Sequence, residues 1–105
     1  MTDRELLELA AKAAGIGPVN FDRARRDWGW NPLTDDGDAL RLAVKISADV
    51  CIDVIDHDTQ RPIKSTAVYS ETGSEIEPHG DDPCAATRRA IVRAAAEIGR
   101  RMQHE

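Results

Sequence analysis

Apolar residues fall at every second position in residues 48–55, which read Ala-Asp-Val-Cys-Ile-Asp-Val-Ile. A period of two is typical of a strand that buries one face. We therefore expect positions 48, 50, 52 and 54 to face the core and Asp49 and Asp53 to face solvent. Acids on an outer face also protect a strand from pairing with other chains.

The residues that follow predict that this strand belongs to a hairpin. Residues 56–60, Asp-His-Asp-Thr-Gln, are typical of a polar turn, and residues 63–70 have the Thr, Val and Tyr content of a second strand. A turn at 72–74 leads into a short third strand at 74–77. Strands that follow one another without a helix between them indicate an antiparallel sheet.

The first and last helices are predicted from their ends. Thr2 and Glu5 form a capping box, and Gly15 follows the last turn, which predicts a helix over residues 3–14. Asp82 as the N-cap and Pro83 in the first turn predict a helix over residues 83–101.

A second helix is predicted from Thr34 or Asp35 as its N-cap and from the acidic residues 35, 36 and 38, which complement the positive end of a helix dipole. Leu40, Ala43 and Val44 form its expected buried stripe. Residues 16–33 show no clean period, so we expect an irregular connection there.

These patterns predict one α+β domain over residues 1–105. Two to three helices pack on a small antiparallel sheet of two to four strands, as a layered sandwich. The expected core consists of Leu6, Leu9, Ala13, Leu40, Ala43, Val44, Val50, Ile52, Val54, Ile91, Ala95 and Ile98.

The composition and net charge argue against several classes of function. The 105 residues carry a net charge of −5, which argues against a general nucleic-acid coat or a membrane-surface binder. No apolar run reaches the roughly 18–20 residues of a membrane span. The opening residues lack a signal-peptide core. We expect a soluble, cytoplasmic protein without a membrane partner.

Charge is distributed unevenly along the chain. Residues 34–58 hold seven acids against Arg41 and Lys45, whereas residues 83–105 hold five arginines against Glu97 and Glu105. The acidic part predicts a surface for a basic partner protein. Its candidate residues, with two nearby tryptophans, are Asp49, Asp53, Asp56, Asp58, Trp28 and Trp30.

Two alternative functions remain open. Arginines beside the tryptophans, together with those of the last helix, form a basic and aromatic set suited to single-stranded nucleic acid. Its candidate residues are Arg23, Arg25, Arg26, Arg88 and Arg89. The other alternative is a metal site or an enzyme that uses His57, His79 and Cys84.

The sequence lacks the common motifs of calcium-binding, nucleotide-binding and catalytic sites. Counting from Asp35, the twelfth position of a calcium loop falls on Ile46, where such a loop needs a bidentate Glu. Gly-x-Gly-x-x-Gly, Walker A and Gly-x-Ser-x-Gly motifs are absent. We therefore expect a protein that is not an enzyme and that uses no cofactor.

Three stretches carry a resemblance. Residues 5–10 read Glu-Leu-Leu-Glu-Leu-Ala, residues 30–44 read Trp-Asn-Pro-Leu-Thr-Asp-Asp-Gly-Asp-Ala-Leu-Arg-Leu-Ala-Val, and residues 86–97 read Ala-Thr-Arg-Arg-Ala-Ile-Val-Arg-Ala-Ala-Ala-Glu. They resemble small uncharacterised phage and prophage proteins of Gram-negative bacteria. The layout is also similar to the phage ABA-sandwich domain.

This resemblance implies a phage or prophage origin and a layered α/β arrangement, and it supplies no catalytic residue. With the missing chemistry, it predicts a non-catalytic accessory protein that binds a host or phage protein in the bacterial cytoplasm. Because a small sheet often leaves an edge or face uncovered, we expect a monomer or a small homo-oligomer.

Overall fold

The computed structural model describes residues 1–16, 29–56 and 63–102, with the side chains of residues 54–56 left out. The elements follow one another as α1 (Asp3–Ala13), α2 (Asp36–Lys45), β1 (Asp49–Asp56), β2 (Ile63–Ser70), β3 (Gly73–Pro78) and α3 (Pro83–Met102). The strands form an antiparallel sheet in the order β1-β2-β3. The predicted α+β class is confirmed.

Each helix begins at a side chain that satisfies one of its free amides. The hydroxyl of Thr2 accepts from the Glu5 amide at 3.1 Å, and the carboxylate of Asp35 accepts from the Asp38 amide at 2.8 Å. Asp82 does the same for Ala85 at 3.0 Å. The N-caps predicted from sequence therefore fix where the helices start.

The helices pack around α3, which forms the layer against the sheet. Helix α3 packs on β2 and β3, and α1 and α2 pack on α3. Helices α1 and α3 approach so closely that a Cβ at Gly99 would overlap the Leu9 carbonyl. The small residues of α3 permit this contact, since a larger side chain would hold the two helices apart.

The core forms where these layers meet. Leu6, Ala43, Ile91, Ala95 and Ile98 are buried as predicted, and Leu9, Ala13 and Val50 are partly buried. The largest fully buried side chains are Leu7, Val68, Val92, Thr66 and Pro32. The side chain of Val54 lies outside those described.

Three expected core residues are exposed instead. The exposed fraction is 66% for Leu40, 72% for Val44 and 62% for Ile52. Helix α2 is apolar around much of its circumference, so its sequence leaves the buried face ambiguous. Because α2 packs on α3, it turns Ala39, Leu42 and Ala43 inward, and Leu40 and Val44 stay outside.

A bulge in β1 interrupts the predicted alternation. The register shifts between Cys51 and Val54, and Asp53 adopts a left-handed φ of 64°. Val50 pairs with Val68 whereas Val54 pairs with Ser65, and positions 65 and 68 lie on opposite faces of β2. The prediction that positions 50 and 54 share a face is therefore wrong, because the extra residue reverses the alternation.

Candidate functional site

An apolar groove of about 420 Å³ lies between α2, the first half of α3, and β1. Helix α2 contributes Ala39, Leu40 and Ala43 to its walls. Strand β1 contributes Val50 and Ile52. The volume lies within the roughly 300–1,000 Å³ of ordinary ligand-binding sites.

The groove follows from the position of β1 in the sheet. Strand β1 is an edge strand, and α3 packs mainly on β2 and β3. The helix-facing side of β1 is therefore not covered by α3. The wall opposite β1 is α2, which leaves Leu40 exposed across from Ile52.

One end of the groove is polar. The first turns of α2 and α3 are joined there by an ion pair of 2.6 Å between Asp36 and Arg88. The Arg88 guanidinium also donates to the Leu33 carbonyl at 2.8 Å. Pro83, Cys84 and Thr87 of α3 complete this end of the lining.

A chain of four polar side chains runs from the β1 bulge to this end of the groove. Asp53 Oδ1 lies 3.6 Å from Nδ1 of His79, and Nε2 of His79 lies 2.8 Å from the Thr66 hydroxyl. The Thr66 hydroxyl lies 2.8 Å from the hydroxyl of Thr87, which lines the groove. His79 and Thr66 are buried.

An acid, a histidine and a hydroxyl linked in this order resemble the catalytic triad of enzymes that use a hydroxyl nucleophile. Here, however, Thr66 is fully buried, and its hydroxyl is shared between His79 and Thr87. A substrate cannot reach an oxygen in that position. The arrangement instead satisfies polar groups that would be costly to bury unpaired, and each buried side-chain N or O atom of the described residues has a partner.

Sequence reasoning missed this chain, although it singled out Asp53 and His79 separately. The alternation of β1 predicted that Asp53 lies on the outer face with Asp49. That prediction is wrong, since the bulge brings Asp53 to His79 whereas Asp49 pairs with Tyr69. The local signals for a bulge are weak, and Thr66 and Thr87 lie 21 positions apart.

The predicted protein-binding residues do not form one cluster. Asp49 is exposed on β1, and Trp30 is partly buried against the core. Trp28 and Asp58 lie outside the described residues, as does the side chain of Asp56. Asp53 is the member of this set that lies beside the groove, directly after Ile52.

The arginines of α3 are held within the chain. Arg88 pairs with Asp36, and Arg89 pairs with Asp3 at 3.0 Å. Arg93 bridges two carboxylates of β3, Glu75 at 2.9 Å and Glu77 at 2.7 Å. Arg100 and Arg101 both pair with Glu97. The other members of the predicted nucleic-acid set, Arg23, Arg25 and Arg26, lie outside the described residues.

The predicted metal or enzymatic set is only partly described. His57 lies outside the described residues, His79 belongs to the buried polar chain, and Cys84 is exposed at the groove. Within residues 1–16, 29–56 and 63–102, no group of three or more His, Cys, Asp or Glu side chains is arranged to hold a metal ion.

Comparison of the chain with protein-family models, curated proteins and solved structures found no match. The helices in the described part of the chain include none with the length and apolar character to cross a membrane.

Proposed function

We propose that this chain is a non-catalytic protein-binding module whose groove receives an apolar segment of a partner protein. The observation that carries the proposal is the exposure of Leu40 and Ile52 on facing walls of one groove. Burial of an aliphatic side chain contributes about 1.5–3 kcal/mol. A partner that covers both residues therefore gains a few kcal/mol before other contacts form.

The shape of the groove favours a protein segment over an enclosed small ligand. Its walls include side chains that are more than half exposed, so the groove is open to solvent along α2 and β1. Contiguous apolar surface of this kind often marks an interaction site. The fully buried Thr66 hydroxyl supports a non-catalytic role, because the one histidine of the described region bonds to a group that a substrate cannot reach.

The biological setting belongs to the same proposal. We assign the chain to phages or prophages of Gram-negative bacteria and its action to the host cytoplasm, with a host or phage protein as the partner. The support is the resemblance of residues 30–44 and 86–97 to small phage proteins.

Capture from bacterial lysate by matched variants tests the proposal. Ile52→Thr removes apolar surface inside the groove. Ile76→Thr makes the same change on β3, where Ile76 is 53% exposed and pairs with Ala67 on the opposite face of the sheet. The wild type and both variants are tagged, incubated with lysate with and without nuclease treatment, and compared by quantitative mass spectrometry.

We expect the wild type and Ile76→Thr to capture one lysate protein in equal amounts. Ile52→Thr should capture about tenfold less of it, which corresponds to a loss of about 1.4 kcal/mol in binding free energy. Equal retention by the two variants would contradict the proposal. Enrichment that disappears on nuclease treatment would instead support nucleic-acid binding.

A further inference from the structure

Resting on the proposed function, we infer that the partner segment is amphipathic, with aliphatic anchors in the groove and Lys or Arg residues at the end where α2 and α3 begin. The groove is apolar along its length and acidic at that end. The charge distribution therefore specifies both the chemistry of the segment and the direction in which it lies.

The topology brings both helix starts to the same end of the groove. Strands β1 and β3 run in the same direction, because each is antiparallel to β2. Helix α3 follows β3, so it starts near the end of β1, where His79 meets Asp53. The ion pair between Asp36 and Arg88 places the start of α2 there as well.

Carboxylates dominate this end. Asp36 lines the groove, Asp53 follows the lining residue Ile52, and Asp82 precedes the lining residue Pro83. The side chains of Asp36 and Asp53 are 76% and 60% exposed. Asp36 already pairs with Arg88, so Asp53 is the carboxylate of the two that can meet a cation from a partner.

The cations near this end are already engaged. Arg88 is held by Asp36, and Arg41 lies 2.8 Å from Asp38 and 3.9 Å from Asp35. Among the described residues, no Lys or Arg lies within ion-pair distance of Asp53 or Asp82. Each helix start adds a partial positive charge of about half a unit, which the carboxylates outweigh.

The opposite end of the groove has a different character. Ala43 and Val50 line it, and both are apolar. A basic residue of a partner would meet no carboxylate of the lining there. Opposite charges across an interface fix the orientation of a partner in this way.

Two native thiols report on occupancy of the groove. Cys84 lines it, whereas Cys51, between Val50 and Ile52 on β1, pairs with Ala67 on the other face of the sheet. Both are exposed free cysteines. Alkylation of Cys84 relative to Cys51, measured by mass spectrometry, therefore detects a bound segment with an internal control.

The probes are three short capped peptides at millimolar concentration. The first is Leu-Val-Leu-Lys-Arg-Lys, the second is its charge-reversed form Leu-Val-Leu-Glu-Asp-Glu, and the third is Ser-Thr-Ser-Lys-Arg-Lys. We expect the first peptide to slow alkylation of Cys84 by about threefold or more and the other two to have little effect. Alkylation of Cys51 is expected to stay unchanged with all three.

Matched variants test whether the carboxylates at the acidic end of the groove select the basic peptide. Asp53→Asn is expected to remove most of the preference for the first peptide over the second, and Asp49→Asn, on the opposite face of β1, is expected to preserve it. Asp82→Asn also weakens the preference while an Asn still caps α3.

The outcomes separate the two proposals. Equal protection by the first two peptides would overturn the basic-partner inference and leave the groove as a binding site. Protection by the third peptide equal to that by the first would show that charge alone suffices and would overturn the amphipathic segment. Absence of protection by the first peptide would overturn the inference, while the lysate comparison of Ile52→Thr with Ile76→Thr judges the proposed function independently.

Discussion

Asp53 meets His79, with 3.6 Å between Oδ1 and Nδ1, because a bulge in β1 turns Asp53 away from the outer face that it would occupy in a regular strand. The contact starts the polar chain that ends at Thr87 in the groove wall. The bulge therefore gives the apolar groove an acidic end, and it also anchors the loop that precedes α3.

Thr66→Val tests the role of the buried polar chain. Valine has nearly the same shape as threonine, but it leaves His79 Nε2 and the Thr87 hydroxyl without their shared partner. We expect the free energy of unfolding in urea to fall by about 1–3 kcal/mol. Thr72→Val, in the turn between β2 and β3, is the control and should cost less than half as much. A Thr66→Val variant as stable as the wild type would contradict a stabilising role for the chain.

Gly99→Ala tests the close contact between α1 and α3. A methyl group at residue 99 meets the Leu9 carbonyl, which is backbone and cannot turn aside. We expect a loss of about 1–3 kcal/mol from overpacking.

Gly37→Ala in α2 provides the contrast, because the added methyl meets side-chain ends, the exposed Arg41 guanidinium at 3.1 Å and the capping Asp35 carboxylate at 3.2 Å, rather than backbone. Helix propensity then favours alanine by up to about 1 kcal/mol. Gly99→Ala should lower the unfolding temperature much more than Gly37→Ala does, and equal shifts would contradict the packing described.

Arg93→Ala tests the connection between α3 and β3. Arg93 holds Glu75 and Glu77, which are two apart on one strand and therefore lie on one face. Without the guanidinium the two carboxylates repel each other, so we expect a loss of about 1 kcal/mol that shrinks as salt is added. Arg4→Ala, on the exposed face of α1, is the comparison and should change the urea midpoint much less. A loss that does not depend on salt would point to packing rather than charge.

Glu97 predicts a pH dependence. The hydrogen bond from Arg100 lowers the pKa of the Glu97 carboxyl from its ordinary value of 4.5. A pKa that is lower in the folded chain stabilises the fold above the ordinary value, and this stabilisation is lost as pH falls through the folded pKa.

Glu97→Gln should therefore be slightly less stable than the wild type at pH 7 and equal to it once the pH lies below that folded pKa. Urea unfolding across the acid range measures the difference, with the exposed Glu71→Gln as a control. The effect is small because solvent screens these groups. A stability difference that persists unchanged into strong acid would contradict the ion-pair explanation.

Sequence alone predicted the features that depend on neighbours along the chain. The caps at Thr2, Asp35 and Asp82 are local, and each fixes a helix start. The order of helices and strands followed from periodicity, which also placed the predicted antiparallel hairpin.

The groove could not be predicted from sequence, because it forms through contacts between residues that are far apart in the chain. The burial of Ala39 in place of Leu40 is decided by the packing of α2 on α3. The contact of Asp53 with His79 depends on a one-residue bulge and on a loop 26 positions later. The sequence therefore indicated acidic and apolar candidates, but only the tertiary structure places an acid beside exposed aliphatic side chains.

Photocrosslinking from the two cysteines tests most directly whether the groove is the docking surface. A benzophenone maleimide is attached to Cys84 in a Cys51→Ser variant and to Cys51 in a Cys84→Ser variant, and each protein is irradiated in nuclease-treated lysate. We predict one crosslinked protein from Cys84, inside the groove, that is absent or much weaker from Cys51 on the opposite face. Equal crosslinking from both positions, or crosslinking from Cys51 alone, would contradict it.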